Sequence, residues 1–456
     1  MMKDINEAID EQRERLFSSL SSPSIVGACN PNNGIMVPSK DDKSFFIDHF
    51  RNISVSTSFF IPASGVGSRM FDFLQRFLGT LGKDQKEELD YFFNQLPYFA
   101  FYEEISSEWK ERIRLGEIDL LHFCDYLLSS SGLNFSGTPK ALFPFHRVGA
   151  DVYSPFQRHL QQGKAFRNKP SFHFTIQNEH LSLMQEHLDV DDSDLVVQLS
   201  LQDPDTHSFV FDEFKQPVLK SDGNYLKRPS GHGALLVNLS QINSDIVFVK
   251  NIDNIQCPSR DEEVNHTWEM LGGILNYLRS EIKKALASKD TSRIELLNER
   301  FQFSHQEEKL NIEEWNEILN RPMRVCGMVP NLGMPGGGPF WIENQGKITK
   351  QIIEKSQIDQ AHLSTLSQSS HFNPVMMALS LTGLNNEALD LSQFVRKDLS
   401  MAVQKNHFGK TVYYLERPGL WNGSMYDWTT VFVEVPSAIF SPVKSVMDLL
   451  APCHRC

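Results

Sequence analysis

The chain has 456 residues, 40% hydrophobic and 22% charged, enough for a large buried core and two or three subdomains. A net charge of −13 sets a repulsive field against polyanions, which argues against non-specific binding to nucleic acid or anionic membrane and requires any phosphate site to be local. The six cysteines, Cys29, Cys124, Cys257, Cys326, Cys453 and Cys456, are scattered, with metal-ligand spacing only in the terminal pair; with a charged amphipathic start and no apolar run of bilayer length, the expectation is a cytoplasmic protein without leader or membrane span.

Residues 1–52 read as a helical appendage: a helix in "MMKDINEAIDEQRERL", a loop at "CNPNNG" and a short helix near "SFFIDHF". "ISVSTSFFIPA" reads as a strand, β-branched and aromatic, ended by Pro and Gly. From Phe71 to Ser131 apolar pairs recur at helical spacing in "EELDYFFNQL" and "IDLLHFCDYLL". Further on, "SFHFTI", "DLVVQLSL", "ALLVNL", "DIVFVKNI", "RVCGMV" and "TTVFVEV" read as strands, and "EEVNHTWEMLGGILNYLRSEIKKAL" and "IEEWNEILN" as helices. Strands alternating with helices predict an α/β domain with a largely parallel sheet.

The first strand runs into "PASGVGSRM", which has three readings. One is a strand-to-helix turn with no ligand. A second, the dinucleotide fingerprint, needs a third glycine where Met70 stands. The third is a triphosphate cradle: the backbone N–H groups of Ser64, Gly65, Val66, Gly67 and Ser68 approach phosphate, and Arg69 adds a permanent bidentate cation. That reading requires further phosphate-binding pieces downstream, and "GTPKALFPF" supplies Lys140 between a proline and an apolar run. A serine nucleophile fits poorly, because the loop lacks the Gly-x-Ser-x-Gly elbow.

In this order the motifs resemble those of sugar nucleotidyltransferases of the GT-A type, the UDP-N-acetylhexosamine and UDP-sugar pyrophosphorylases. There "SGVGSRM" and the lysine of "TPKALFPF" correspond to the two halves of the triphosphate site, normally much closer together, so 71–137 is expected to be a helical insertion. "LSLQDPD" puts Gln202 where the family faces the nucleotide, and "RPSGHGALLVNL" resembles the base-holding loop, giving Gly231, His232 and Gly233. "DIVFVKNIDNI" matches a strand ending in a metal-binding aspartate, Asp253, a carboxylate suited to holding Mg²⁺ against the α-phosphate. "GKITKQIIEKSQID" and "SSHFNP" imply Glu354 and Asn373 as sugar contacts, and "VFVEVPSAIFSPVKSV" implies Lys444 on the phosphates, with Ser445 where the family has Asn.

The resemblance implies a GT-A, Rossmann-like mixed sheet over 53–70 and 138–446, with a tail at 447–456. The implied activity is transfer of a nucleotidyl group, UTP favoured, to a sugar 1-phosphate; the alternative is a non-catalytic nucleotide- or sugar-binding protein on the same fold. Segments "RVCGMV...PGGGPFW" and "PGLWNGSMYDW" also resemble those of a bacterial domain-of-unknown-function family without an established reaction. Within them, the glycines of "PNLGMPGGGPFWIE" are either a flexible loop or an anion nest and lid, with Trp341 as a stacking face. Asp427 is either a second metal ligand or part of a surface turn, and the terminal "CHRC" is expected to be exposed chain.

Overall fold

The computed structural model describes residues 5–18, 22–81, 86–189, 194–305, 308–331, 337–344, 346–358, 363–366, 368–407 and 410–456. By its contacts the chain divides into a first unit of Met1–Ser58, Leu201–Val249 and Trp268–Ser437, and a second of Phe59–Ser200, Lys250–Thr267 and Ala438–Cys456. Both are mixed α/β. Among the described residues no helix is long and apolar enough to cross a membrane.

The first unit is built on strands in the order Asn30–Pro31, Gly34–Met36, Thr429–Glu434, Met323–Pro330, Met376–Ser380 and Ile246–Lys250. Thr429–Glu434 runs parallel to both neighbours, with Val325 opposite Val431 and Phe432 opposite Ile35, and Met323–Pro330 runs antiparallel to Met376–Ser380. The central strands are continuous apolar runs because both faces are covered: every residue of Met376–Ser380 is buried. A separate sheet pairs Gly338–Asn344 with Ser24–Ala28 and Lys347–Ile353. A third joins Lys227–Arg228, Ser208–Phe211, Lys410–Glu416 and Met401–His407.

The second unit carries the order Thr57–Pro62, Ser171–Ile176 and Val197–Leu201. The segment 71–137 contains helices Asp72–Gly79, Lys86–Gln95, Ser107–Leu115 and Leu120–Leu128, and no strand among the described residues. Its interior is aromatic: Phe71, Phe92, Phe101, Phe123 and Phe135 pack with Ile255, Val443, Val446 and Leu449. Phe71 and Phe135 stack at 5.6 Å between centroids. Burying such side chains contributes about 1.5–3 kcal/mol each, so this core fixes the two segments that hold Ile255 and Val443.

Three expectations need correction. Residues 1–52 are not a purely helical appendage: between helices Ile5–Phe17 and Lys40–Asn52, Ser24–Ala28 and Gly34–Met36 join two different sheets of the first unit, burying Ile25, Ala28 and Ile35. "ALLVNL" is not a strand but a 3₁₀ turn, His232–Leu235, running into the short helix Leu236–Ser240; Val237 and Ser240 are exposed, a spacing of three that suits a helix. The terminal "CHRC" is not loose, since Cys456 is bonded to Cys257 and His454 is 4% exposed, its ring bonded to His146 and to the Ser441 carbonyl, both at 3.0 Å. A disulfide is also at odds with the reducing compartment expected from the cysteine spacing.

Candidate functional site

In the second unit the buried strand Thr57–Pro62 ends at Ala63, whose N–H reaches the Thr175 carbonyl at 2.8 Å, and the chain turns through Ser64–Arg69. Gln177 Nε2 donates to the Ser64 carbonyl at 2.9 Å. The loop lies on the segment around Lys140: Gly67 N–H donates to the Thr138 carbonyl and Lys140 N–H to the Gly65 carbonyl, each at 3.0 Å. Gly67 has no alternative here, because a Cβ would stand 2.5 Å from the Phe135 carbonyl oxygen. Gly65 is exposed with open space around the position of a Cβ, so the fold does not explain it. Val66 is half-buried and bridges Pro139, and Ser68 is half-buried in the 3₁₀ turn Gly67–Phe71. Arg69, in the same turn, is exposed and forms no ion pair among the described residues; the helix Asp72–Gly79 begins only after it.

Lys140, Asp253 and Lys444 converge. Lys140 Nζ donates to Asp253 Oδ2 at 2.8 Å and to the Val443 carbonyl, and Lys444 Nζ donates to the same Asp253 oxygen at 2.9 Å. Burial raises the Asp253 carboxyl, but the two ammonium groups outweigh it and hold the pKa below its usual value. Burial lowers the Lys140 pKa, partly offset by Asp253. The two lysines differ in freedom: the Lys140 side chain is 12% exposed and that of Lys444 is 64%. Ser445, which stands where an Asn was expected, caps the turn Val446–Leu450, and Asp448 Oδ2 accepts from the N–H groups of Lys444 and Ser445.

A buried polar scaffold holds the Asp253 loop. Arg158 on helix Pro155–Lys164 donates to the Gln256 carbonyl and to both Asp261 oxygens, His159 Nε2 meets the Ile252 carbonyl at 3.0 Å, and Lys250 Nζ donates to Gln162 Oε1 at 2.6 Å. The partner segment is tied alongside by Val443 N–H to the Asp253 carbonyl, Ser441 N–H to Asn254 Oδ1 and the Cys257–Cys456 disulfide.

A different cluster forms in the first unit. The His232 ring stacks on Trp421 with centroids 4.0 Å apart and planes 12° from parallel. Leu420 N–H donates to His232 Nδ1 at 2.8 Å, which leaves the proton of the neutral ring on Nε2, facing Glu354 Oε1 at 3.9 Å. Burial depresses the His232 pKa, with Glu354 opposing, so the neutral form is favoured. Asn422 Nδ2 donates to Glu354 Oε1 at 3.0 Å. The flanking glycines are set by close packing: Gly231 has φ +73°, and a Cβ on Gly233 would lie 2.0 Å from the Pro418 carbonyl oxygen.

The remaining expected residues fare unevenly. Gln202 follows the end of strand Val197–Leu201, and its Nε2 is buried with no hydrogen-bond partner among the described residues. Asn373 is engaged by the protein itself, Nδ2 donating to the Gly327 carbonyl and Oδ1 accepting from Val375 N–H, which argues against a sugar contact. Trp341 is not a free stacking face: its Nε1 donates to Asn33 and Lys350 lies over its ring. Leu332–Gly336 of the glycine-rich loop lie outside the described residues.

Sequence reasoning missed Trp421, Asn422 and Arg324. Arg324 is fully buried, donating to Thr430 Oγ1, the Trp421 carbonyl and Gln351 Oε1 at 2.8, 2.6 and 3.0 Å, and so fixes the segment that carries the stack. Only the Asn422–Gly423 turn signal in "LWNG" marked that region.

Among the described residues no three His, Cys, Asp or Glu side chains gather as a metal cradle. Asp253 Oδ1, however, is buried without a hydrogen-bond partner, so one carboxylate oxygen is free for a cation whose other ligands come from phosphate and water, the usual habit of Mg²⁺. Asp427 does not fit a metal ligand, because Arg321, Arg396 and Lys347 are the cations around it.

Solved structures similar to the chain include a variant UDP-glucose pyrophosphorylase from Leishmania major, at 13% identity and TM-score 0.46, covering 95% of this chain and 73% of that one. The uridine diphosphate N-acetylglucosamine pyrophosphorylase of Trypanosoma brucei, solved with an inhibitor, is similar at 12% identity and TM-score 0.48, covering 98% and 74%. The likeness is too distant to say what this chain does. No curated protein matches the sequence. The model of the family described as Domain of unknown function (DUF4301) matches residues 2–455, and the chain belongs to that family.

Proposed function

We propose that the protein is a GT-A-type nucleotidyltransferase that joins a nucleoside triphosphate, UTP by preference, to a sugar 1-phosphate. The sugar-phosphate oxygen attacks the α-phosphorus, the bond to the bridging oxygen of the β-phosphate breaks, and pyrophosphate leaves. The observation that carries this reading is the meeting of Lys140 and Lys444 on one buried carboxylate, beside a loop whose Gly65 the fold does not require.

In this reading the loop amides and Arg69 hold the β- and γ-phosphates, while Lys140 and Lys444 neutralise charge growing around the α-phosphorus. Positioned charge in a water-poor site is the largest source of rate in such transfers. Lys444, largely exposed, is the mobile arm, and Lys140 is the fixed one. With Asp253 and Asp448 nearby, the lysines are close to balanced, so the cluster by itself does not neutralise a triphosphate. Mg²⁺ held at Asp253 Oδ1 and on the phosphates would supply that charge as a Lewis acid. By the sequence resemblance alone, Gln202 and His232 are assigned to the base and Glu354 to sugar hydroxyls.

A binding protein without turnover is the second reading, favoured by the fact that both lysines are already paired with Asp253. Pyrophosphate release with a panel of triphosphates and sugar 1-phosphates, with and without Mg²⁺, decides between them. Metal-dependent release that needs both substrates supports the transferase. Nucleotide binding without release, for every pair, supports the binder.

A further inference from the structure

The first unit contains a cavity of about 310 Å³ that the proposed transfer does not use, walled by Arg321, Lys347 and Asp427. Its size falls at the small end of ligand cavities, roughly 300–1,000 Å³. Among the described residues these three charged side chains form no close ion pair with one another, although Arg321 and Lys347 act on Asp427 across the space they line.

The rest of the wall is also polar. Asn344, Thr349 and Gln393 supply amide and hydroxyl groups, and Phe394 gives one apolar ring. A smaller adjoining cavity of about 30 Å³, room for one water or one hydroxyl, shares Arg321, Thr349 and Asp427. It is also lined by Trp428, 3% exposed, whose Nε1 is buried without a hydrogen-bond partner among the described residues. An unmet donor there calls for an oxygen.

A wall that mixes two cations, one carboxylate and several amide and hydroxyl groups suits neither a bare metal ion nor a plain hydrocarbon. We propose that this cavity binds a small hydroxylated anion, a sugar phosphate or a sugar acid, with its anionic group toward Arg321 and Lys347 and its hydroxyls toward Asp427 and the neighbouring amides. Burial raises the Asp427 carboxyl above its ordinary value, which suits a group sharing a proton with a hydroxyl. The site is independent of the nucleotide reading: its residues are not among those assigned to transfer.

Isothermal titration of the full chain with glucose 6-phosphate, glucuronate, sorbitol and inorganic phosphate tests it. The expected result is saturable binding of at least one of the two sugar anions and weaker or no binding of sorbitol and phosphate. Lys347→Gln, an exposed change that does not endanger folding, should weaken that binding roughly 10- to 100-fold, the range for hydrogen bonds to charged groups. Asp427→Asn should weaken it too, and Lys140→Ala should leave it intact. Absence of binding by both sugar anions, phosphate binding as tightly as the sugar anions, or loss of binding in Lys140→Ala but not in Lys347→Gln overturns the proposal.

Discussion

The Lys140–Asp253–Lys444 cluster and the His232–Trp421–Glu354 cluster are held together by different forces. The first is electrostatic: two ammonium groups share one carboxylate oxygen, in a setting where burial alone would disfavour the charges of Lys140 and Asp253. The second is a neutral ring stack steered by backbone and amide hydrogen bonds, with a carboxylate at its edge. A charge cluster acts on developing charge, so its loss should appear in turnover. A stack contributes similarly to ground and transition states, so its loss should appear mainly in affinity.

The sharpest test of that contrast is Lys140→Ala. Turnover is expected to fall about 10²- to 10³-fold with little change in nucleotide affinity, as for removal of one strong electrostatic contact. The pH profile should carry the same signature. Because the Lys140 pKa is depressed, the cation is present below a value lower than that of an ordinary lysine and is lost as pH rises through it. The alkaline limb of turnover should therefore lie below about 10.4 and move upward in Lys140→Arg. A limb unmoved by that change separates Lys140 from the chemistry.

Next in size is the disulfide that ties the Asp253 segment to the Lys444 segment. Cys456→Ser should cost about 2–4 kcal/mol, read by denaturant titration, and treating the wild type with reductant should reproduce it. Smaller still are the glycines. Gly67→Ala and Gly233→Ala each push a Cβ into a backbone carbonyl and should cost about 1–3 kcal/mol of stability. Gly65→Ala meets nothing, so stability should hold or rise by about 0.4–1 kcal/mol while triphosphate binding weakens. Equal nucleotide binding in Gly65→Ala and wild type removes that loop from the site. A comparably small effect is expected for Trp421→Leu, about 0.5–1.5 kcal/mol in nucleotide affinity with turnover nearly unchanged.

Strands such as Ser171–Ile176 and Thr429–Glu434 were legible because they are short segments rich in β-branched and aromatic residues. The same pattern misled at Ala234–Leu239, where an apolar run of that length fits a buried helix equally well. Ser24–Ala28 and Gly34–Met36 are too short to announce themselves, and their partners, Gly338–Asn344 and Thr429–Glu434, lie hundreds of residues away, beyond any local signal. In the site, Lys140, Asp253 and Lys444 could be picked out as ordered motifs, but their convergence depends on the aromatic packing of the helical segment against Ile255 and Val443. The Cys257–Cys456 pairing closes over 199 residues and leaves no trace in spacing. Trp421 and Asn422 looked like a turn because their importance lies in what they touch, His232 and Glu354.

The most direct measurement is a crystal structure of the protein soaked with UTP and Mg²⁺. The account predicts triphosphate density along Ser64–Arg69, with Lys444 swung from Asp253 onto a phosphate, Lys140 still in place, and the cation at Asp253 Oδ1. Nucleotide bound elsewhere, with Lys140 and Lys444 still closed on an unliganded Asp253, would contradict it.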